Sequence, residues 1–398
     1  MKHTRWITWV LVLVLALGLL PMAAFASDLK LPEPFGSQTL TTRVNPLYQD
    51  VLKPEDLDLD NRPGRPPADA QPMATNYVTI AQAAVQMRQQ MKNRATSFTL
   101  YIASDSTDYE AIIEEVLLQA LVHTGKPKEG DYLMWHYAGF GGSVERASSG
   151  GQYRYTYNLE MAYYTTAAQE SQLDTAVSNL LRSLNLSGKS NYQKVKAVYD
   201  YICKNVTYDE ANLDNESYTL KFSAYAALVN KTAVCQGYAS LFYRLMLELG
   251  IDARVISGDG GGPHGWNIVK LGNVYYNVDT TWDAGMTEYQ FFLRDTENFL
   301  GHARYLEYMS TQFHTDYPMA EDDYVDGVAG VPEHYFVMGT CGDDAYWAVS
   351  RDRQLTIVGE GNTYSFSRYG DLEDLSPWTY WTDGFQTVVI GEGITSIG

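Results

Sequence analysis

Three side chains of this 398-residue chain could do chemistry together. Cys235 opens the segment TAVCQGYASLFYRLMLELGIDARV, His264 stands in PHGWNIV, and Asp279 stands in NVYYNVDTTWD. Thiol, imidazole and carboxylate thus follow one another at spacings of 29 and 15 residues. A sulfur nucleophile needs a base beside it, and the base needs a group that fixes its tautomer. Taken one at a time, each residue also has a plain reading: a buried helix cysteine, a loop histidine and a strand-end cap.

The elements around them decide whether they can meet. Residues 235–249 carry Ala239, Phe242, Met246 and Leu249 at three- and four-residue steps, with Gly250 where a helix stops. Cys235 is then at a helix N-terminus, where unpaired N–H groups and the macrodipole favour a negative sulfur. The runs WNIVKL and VYYNVDT, joined by Gly272-Asn273, read as a hairpin. Its turn sets Leu271 against Val274 and Trp266 against Asp279. His264, two residues before Trp266, falls on the same face and lies diagonal to Asp279, within side-chain reach. The loop GDGGGPHG leaves little bulk beside His264, so a substrate could approach.

Elsewhere the chain says where such chemistry would take place. Lys2 and Arg5, the apolar run 7–20 and Ala24-Phe25-Ala26 have the pattern of a cleaved export signal. Its apolar run of 14 residues is short for a bilayer span, so the expected mature chain is secreted or held at a bacterial cell surface, with no membrane span. Loss of Lys2 and Arg5 takes the net charge from −19 to −21, which argues against nucleic acid as a partner. Three cysteines without a CxxC motif indicate neither a zinc site nor a disulfide scaffold, and no cofactor is expected. Cys203, at helical spacing with Val195, Val198 and Ile202, reads as a buried apolar residue.

The predicted organisation is a signal peptide (1–26), an extended linker (27–75), an α+β N-terminal domain (76–185), a catalytic domain (186–338) and a β-rich end (339–398). In the second domain, Ile80, Ala84, Met87 and Met91 form a helix stripe, SFTLYIA reads as a strand and Tyr109–Leu121 as a helix. DYLMWHYAG and QYRYTYNLEMAYY read as strands. Two helices are expected between 168 and 204.

The catalytic segments resemble the transglutaminase-like superfamily, whose bacterial members carry V-C-x-G-Y-A, H-A-W and x-V-D-x-T-W-D. Here these read Val234-Cys235-Gln236-Gly237-Tyr238-Ala239, His264-Gly265-Trp266 and Asn277-Val278-Asp279-Thr280-Thr281-Trp282-Asp283. Gly265 replaces the usual Ala, and Thr280 stands where Pro is frequent. The resemblance implies an α+β, papain-like core, with the cysteine helix packed on an antiparallel sheet that carries the histidine and the acid. Residues 340–398 are similar to the capping segment and first partial repeat of bacterial leucine-rich-repeat surface proteins.

The expected function is that of an exported thiol acyl-transfer enzyme acting on protein or peptide amides through Cys235, His264, Asp279 and a thioester. Cross-linking and hydrolysis both remain open. The Cys235 N–H is one expected oxyanion donor, with Trp266 and Gln236 as candidates for a second. Cell-wall or host surface proteins are the expected partners. The alternative is a non-catalytic surface adhesion protein that binds through its repeats.

Overall fold

The computed structural model describes residues 35–48, 53–57, 59, 76–149, 151–321, 323–324, 335–350, 353–366, 376, 378, 385–391 and 393–397. The expected signal peptide and most of the expected linker lie outside these residues. Among the described residues no helix is long and apolar enough to cross a membrane.

The first layer is a four-stranded antiparallel sheet made of β1 (Phe35–Val44), β2 (Ser97–Ser104), β3 (Tyr137–Ser149) and β4 (Gln152–Tyr163), in the order β1-β3-β4-β2. Helices α1 (Ile80–Lys92) and α2 (Tyr109–Ala120) share a core with it, built on Met87, Met91, Ile113, Val116, Tyr155 and Tyr157. Two expectations are corrected here. The segment read as a linker supplies β1, held by its pairing to β3 and by Arg43 on Glu110 at 2.9 Å. DYLMWHYAG is not one strand: it begins as the short helix α3 (Asp131–Met134), and β3 starts only at Tyr137. Gly130, at φ 60, turns the chain into α3, and Asp131 is held by distant partners described below.

Two helices follow, α4 (Ala167–Leu184) and α5 (Asn191–Asn205). Both begin with reciprocal capping boxes, Thr166 with Gln169 and Ser190 with Gln193, which satisfy donors the helix leaves free. The buried face of α4 (Leu173, Val177, Leu180) joins the core of the following domain, although its residues were grouped with the preceding one.

That core is centred on α6 (Cys235–Glu248), which is preceded by the small parallel pair β5 (Thr207–Tyr208) and β6 (Thr232–Ala233). The core sheet is β7 (Ala253–Asp259), β8 (Pro263–Leu271), β9 (Val274–Val278) and β10 (Ala303–Arg304), in the order β10-β7-β8-β9. Val255, Val269, Leu271, Tyr276 and Val278 pack with α6. Ile256, Trp266, Ile268 and Tyr275 form a second core with Phe299 and with Phe313 of α7 (Thr311–Asp316). Burial on both faces explains the consecutive apolar residues Val255-Ile256 and Ile268-Val269, whose members face different cores.

The C-terminal part is a third sheet of β11 (Tyr335–Thr340), β12 (Asp344–Ser350), β13 (Gln354–Asn362), β14 (Thr387–Ile390) and β15 (Ile394–Ser396). β11, β12 and β13 are antiparallel neighbours, while β14 and β15 both pair with β13 in parallel.

Candidate functional site

β6 delivers the chain to Val234, and Cys235 is the first residue of α6. The turn is tight because Gly237 has no side chain. A Cβ there would come to 2.7 Å from the Ala233 methyl and 2.9 Å from the Ser223 carbonyl oxygen. Beneath this turn the buried Lys221 ammonium donates to the carbonyls of Asn212, Leu213 and Asn215 at 2.6–3.0 Å.

The hairpin has the expected register. Its pairs run from Leu271–Val274 to Asn267–Val278, and Asp279 is the next residue of the chain. Gly272, at φ 63, takes the first central position of the turn, as a type II′ turn requires. Asp279 and the ring of His264 therefore meet: His264 Nε2 lies 2.7 Å from Asp279 Oδ2. The other oxygen, Oδ1, accepts from the N–H groups of Thr281 at 2.7 Å and Trp282 at 3.3 Å. The loop after Asp279 is anchored in turn by Asp283, which accepts from Tyr199 Oη at 2.6 Å and from the Gln290 and Phe291 N–H groups.

Electrostatics follow from burial and these bonds. Burial alone would lower the His264 imidazole, but hydrogen bonds to Asp279 and to Cys235 outweigh it and hold the ring up at about 10. Burial would raise Asp279, yet hydrogen bonds from His264 and His302 hold it down at about 2. With Nε2 bound to the acid, Nδ1 is the ring nitrogen left for the sulfur. The arrangement is a cationic ring between a carboxylate and a sulfur. Cys235 is partly exposed, whereas Cys203 and Cys341 are buried, and all three are free.

The two candidates for a second oxyanion donor are both buried. The Gln236 amide donates to the Trp135 carbonyl at 2.8 Å in a buried contact, so its N–H is committed there. Trp266 is 1% exposed and sits in the core below His264, its indole N–H without a partner. A Cβ at Gly265 would make a close contact with the Trp135 ring, at 3.3 Å.

Two residues near the site were not singled out from the sequence. Tyr208 pairs with Ala233 just before Cys235, and burial together with the Cys235 charge pushes its phenol up, so its O–H is retained. His302 contacts Asp279 Oδ2 through Nε2 at 3.0 Å. His264, Asp279 and His302 offer ligand atoms within 4.8 Å of one another, a spacing a metal ion could use. The two separations from Asp279 are hydrogen-bond lengths, so the three groups already satisfy one another without an ion.

Residues 178–280 match the family model of the transglutaminase-like superfamily. This chain carries a transglutaminase-like domain. It is 27% identical over 139 residues to the kyphoscoliosis peptidase of Homo sapiens, covering 32% of this chain and 20% of that protein. The mouse (Mus musculus) kyphoscoliosis peptidase is 27% identical over 132 residues, covering 30% and 19%. The chain thus spans about a fifth of the length of the curated relatives it matches. Among solved structures, one described as a TGase aligns with a TM-score of 0.28 and 18% identity, covering 50% of this chain and 58% of that one. A candidate cysteine protease from Cytophaga hutchinsonii aligns with a TM-score of 0.23 and 16% identity, covering 35% and 61%.

Proposed function

We propose that the transglutaminase-like domain is a thiol acyl-transfer enzyme in which Cys235 is the nucleophile, His264 the proton carrier and Asp279 its orienting acid. The observation that carries this reading is the His264 ring, bound to Asp279 at 2.7 Å, with Asp279 and Cys235 both holding its imidazole up. Cys235 Sγ attacks the carbonyl carbon of a protein or peptide amide. The tetrahedral oxyanion takes hydrogen bonds from the Cys235 N–H at the helix start and from the Tyr208 O–H. As the C–N bond breaks, the imidazolium of His264 passes its proton to the departing nitrogen, which leaves as ammonia or an amine. The resulting thioester is resolved by water or a second amine. The incoming nucleophile loses its proton to His264 and the C–S bond breaks.

In this reading the protein acts outside the cell, reached through the N-terminal export signal. The parallel pairing of β14 on β13 supports a repeat-like character for the C-terminal sheet, which would present the domain to surface proteins.

The test incubates a Gln-bearing protein with a labelled primary amine. Amine incorporation lost in Cys235→Ala supports cross-linking, and release of ammonia or peptides without incorporation supports hydrolysis. Wild-type and Cys235→Ala proteins that are equally inert towards amides in both assays would refute the proposal.

A further inference from the structure

Asp279 is held by more donors than a two-residue pair needs. His302 comes from the segment just before β10 and brings a second imidazole to Oδ2, the same oxygen that meets His264. With Oδ1 taken by two backbone N–H groups, the carboxylate is bonded at both oxygens from three directions along the chain. The His302 side chain is completely buried. Its ring centroid lies 4.0 Å from that of Phe299, 4.1 Å from Trp282 and 4.9 Å from Trp266. Its Nδ1 lies 3.1 Å from the Leu300 carbonyl.

An aromatic box of this kind would accept any flat ring. A phenyl ring would bury more cheaply than an imidazole, because a buried polar ring needs its hydrogen bonds. The side chain present is the one that can donate to Oδ2. We propose that His302 is a positioning residue for the acyl-transfer site. By donating to Asp279 Oδ2 it fixes the carboxylate where His264 Nε2 can use it, and so keeps the His264 ring turned with Nδ1 towards Cys235. This inference rests on the reading of Cys235, His264 and Asp279 as a working set, and it adds a fourth member that hydrogen-bonds the acid and lies with its ring 5.4 Å from that of His264.

The test separates ring packing from the hydrogen bond. His302→Phe keeps the ring and removes the donor, His302→Gln keeps an amide donor of similar reach, and His302→Asn is too short to span the gap. Two quantities are measured: the rate at which iodoacetamide alkylates Cys235, and kcat and KM for amide turnover. Losing a group that orients a functional residue typically costs about tenfold to a hundredfold. His302→Phe and His302→Asn should slow alkylation and kcat by about that factor, with KM changed less than about twofold, and His302→Gln should recover most of the loss. Alkylation at the wild-type rate in either folded variant, or no difference between Gln and Asn, would overturn the proposal. Alkylation needs no substrate, so it judges His302 even if the wild-type protein turns over no amide.

Discussion

Asp131 of the short helix α3 grips Arg254 of β7 with both carboxylate oxygens, at 2.7 and 2.8 Å, across 123 residues of sequence. The same carboxylate accepts the Val255 N–H at 2.8 Å. The N-terminal unit is thereby bolted to the strand that pairs with the strand of His264.

Breaking this pair from one side leaves a half-buried guanidinium and a buried backbone N–H without their acceptor. Asp131→Ala should cost about 3 kcal/mol or more, measured by urea unfolding. Both groups lie at the junction of the two units, so the loss should appear as one cooperative transition at lower urea. An unchanged midpoint would show that the junction carries no stability.

The His264–Asp279 pair makes stability depend on pH. The imidazole titrates near 6.5 when unfolded and at about 10 in the fold. Between those values the native state holds a proton that the unfolded state has lost. The stabilisation is complete below pH 6.5 and declines by about 1.4 kcal/mol per pH unit as the pH rises towards 10. Asp279, held at about 2, contributes stability in full above its unfolded value of 3.8 and loses it progressively as pH falls from there through about 2. In unfolding series at several pH values, the gap between wild type and His264→Ala should be widest below pH 6.5 and narrow towards pH 10. A constant gap would contradict the raised imidazole.

Gly237→Ala sets two effects against each other. Alanine is the better helix former by about 1 kcal/mol. The added methyl would come within 2.9 and 3.0 Å of the Ser223 and Lys221 carbonyl oxygens and 2.7 Å of the Ala233 methyl. Backbone oxygens cannot swing aside, and overpacking of this kind costs about 1–3 kcal/mol. The substitution should therefore destabilise the protein on balance. It should also slow Cys235 alkylation, because the first turn of α6 must shift. A gain in stability would mean that this turn is looser than the contacts require.

How much of this was legible depended on local signals. The Gly272-Asn273 turn fixed the hairpin register, and the register put Asp279 beside His264, because strand pairing admits only one partner once a two-residue turn is set. The stripe of Ile80, Ala84, Met87 and Met91 likewise marked α1. His302 left no such mark. It sits in an irregular stretch held by Asp295, which accepts from the Glu297 and Asn298 N–H groups, and by the aromatic packing of Phe299, neither of which has a periodicity to read. The aromatic run at 131–139 read as a strand because its tertiary partners, Arg254 and Val255, lie more than a hundred residues away. Gln236 looked available because it follows Cys235, but its acceptor, the Trp135 carbonyl, belongs to the other unit.

The three thiols offer the most direct measurement. Burial pushes the Cys203 thiol well up and holds Cys341 at about 11, while Cys235 alone is partly exposed beside a cationic ring. Iodoacetamide alkylation of the native protein, mapped by peptide mass spectrometry between pH 5 and 8 by order of magnitude of rate, should label Cys235 first. That labelling should stay fast below pH 7, and His264→Ala should slow it by about tenfold or more. Slow labelling of Cys235 at the pace of the buried thiols, unchanged by His264→Ala, would contradict the central claim that this sulfur and ring act as a pair.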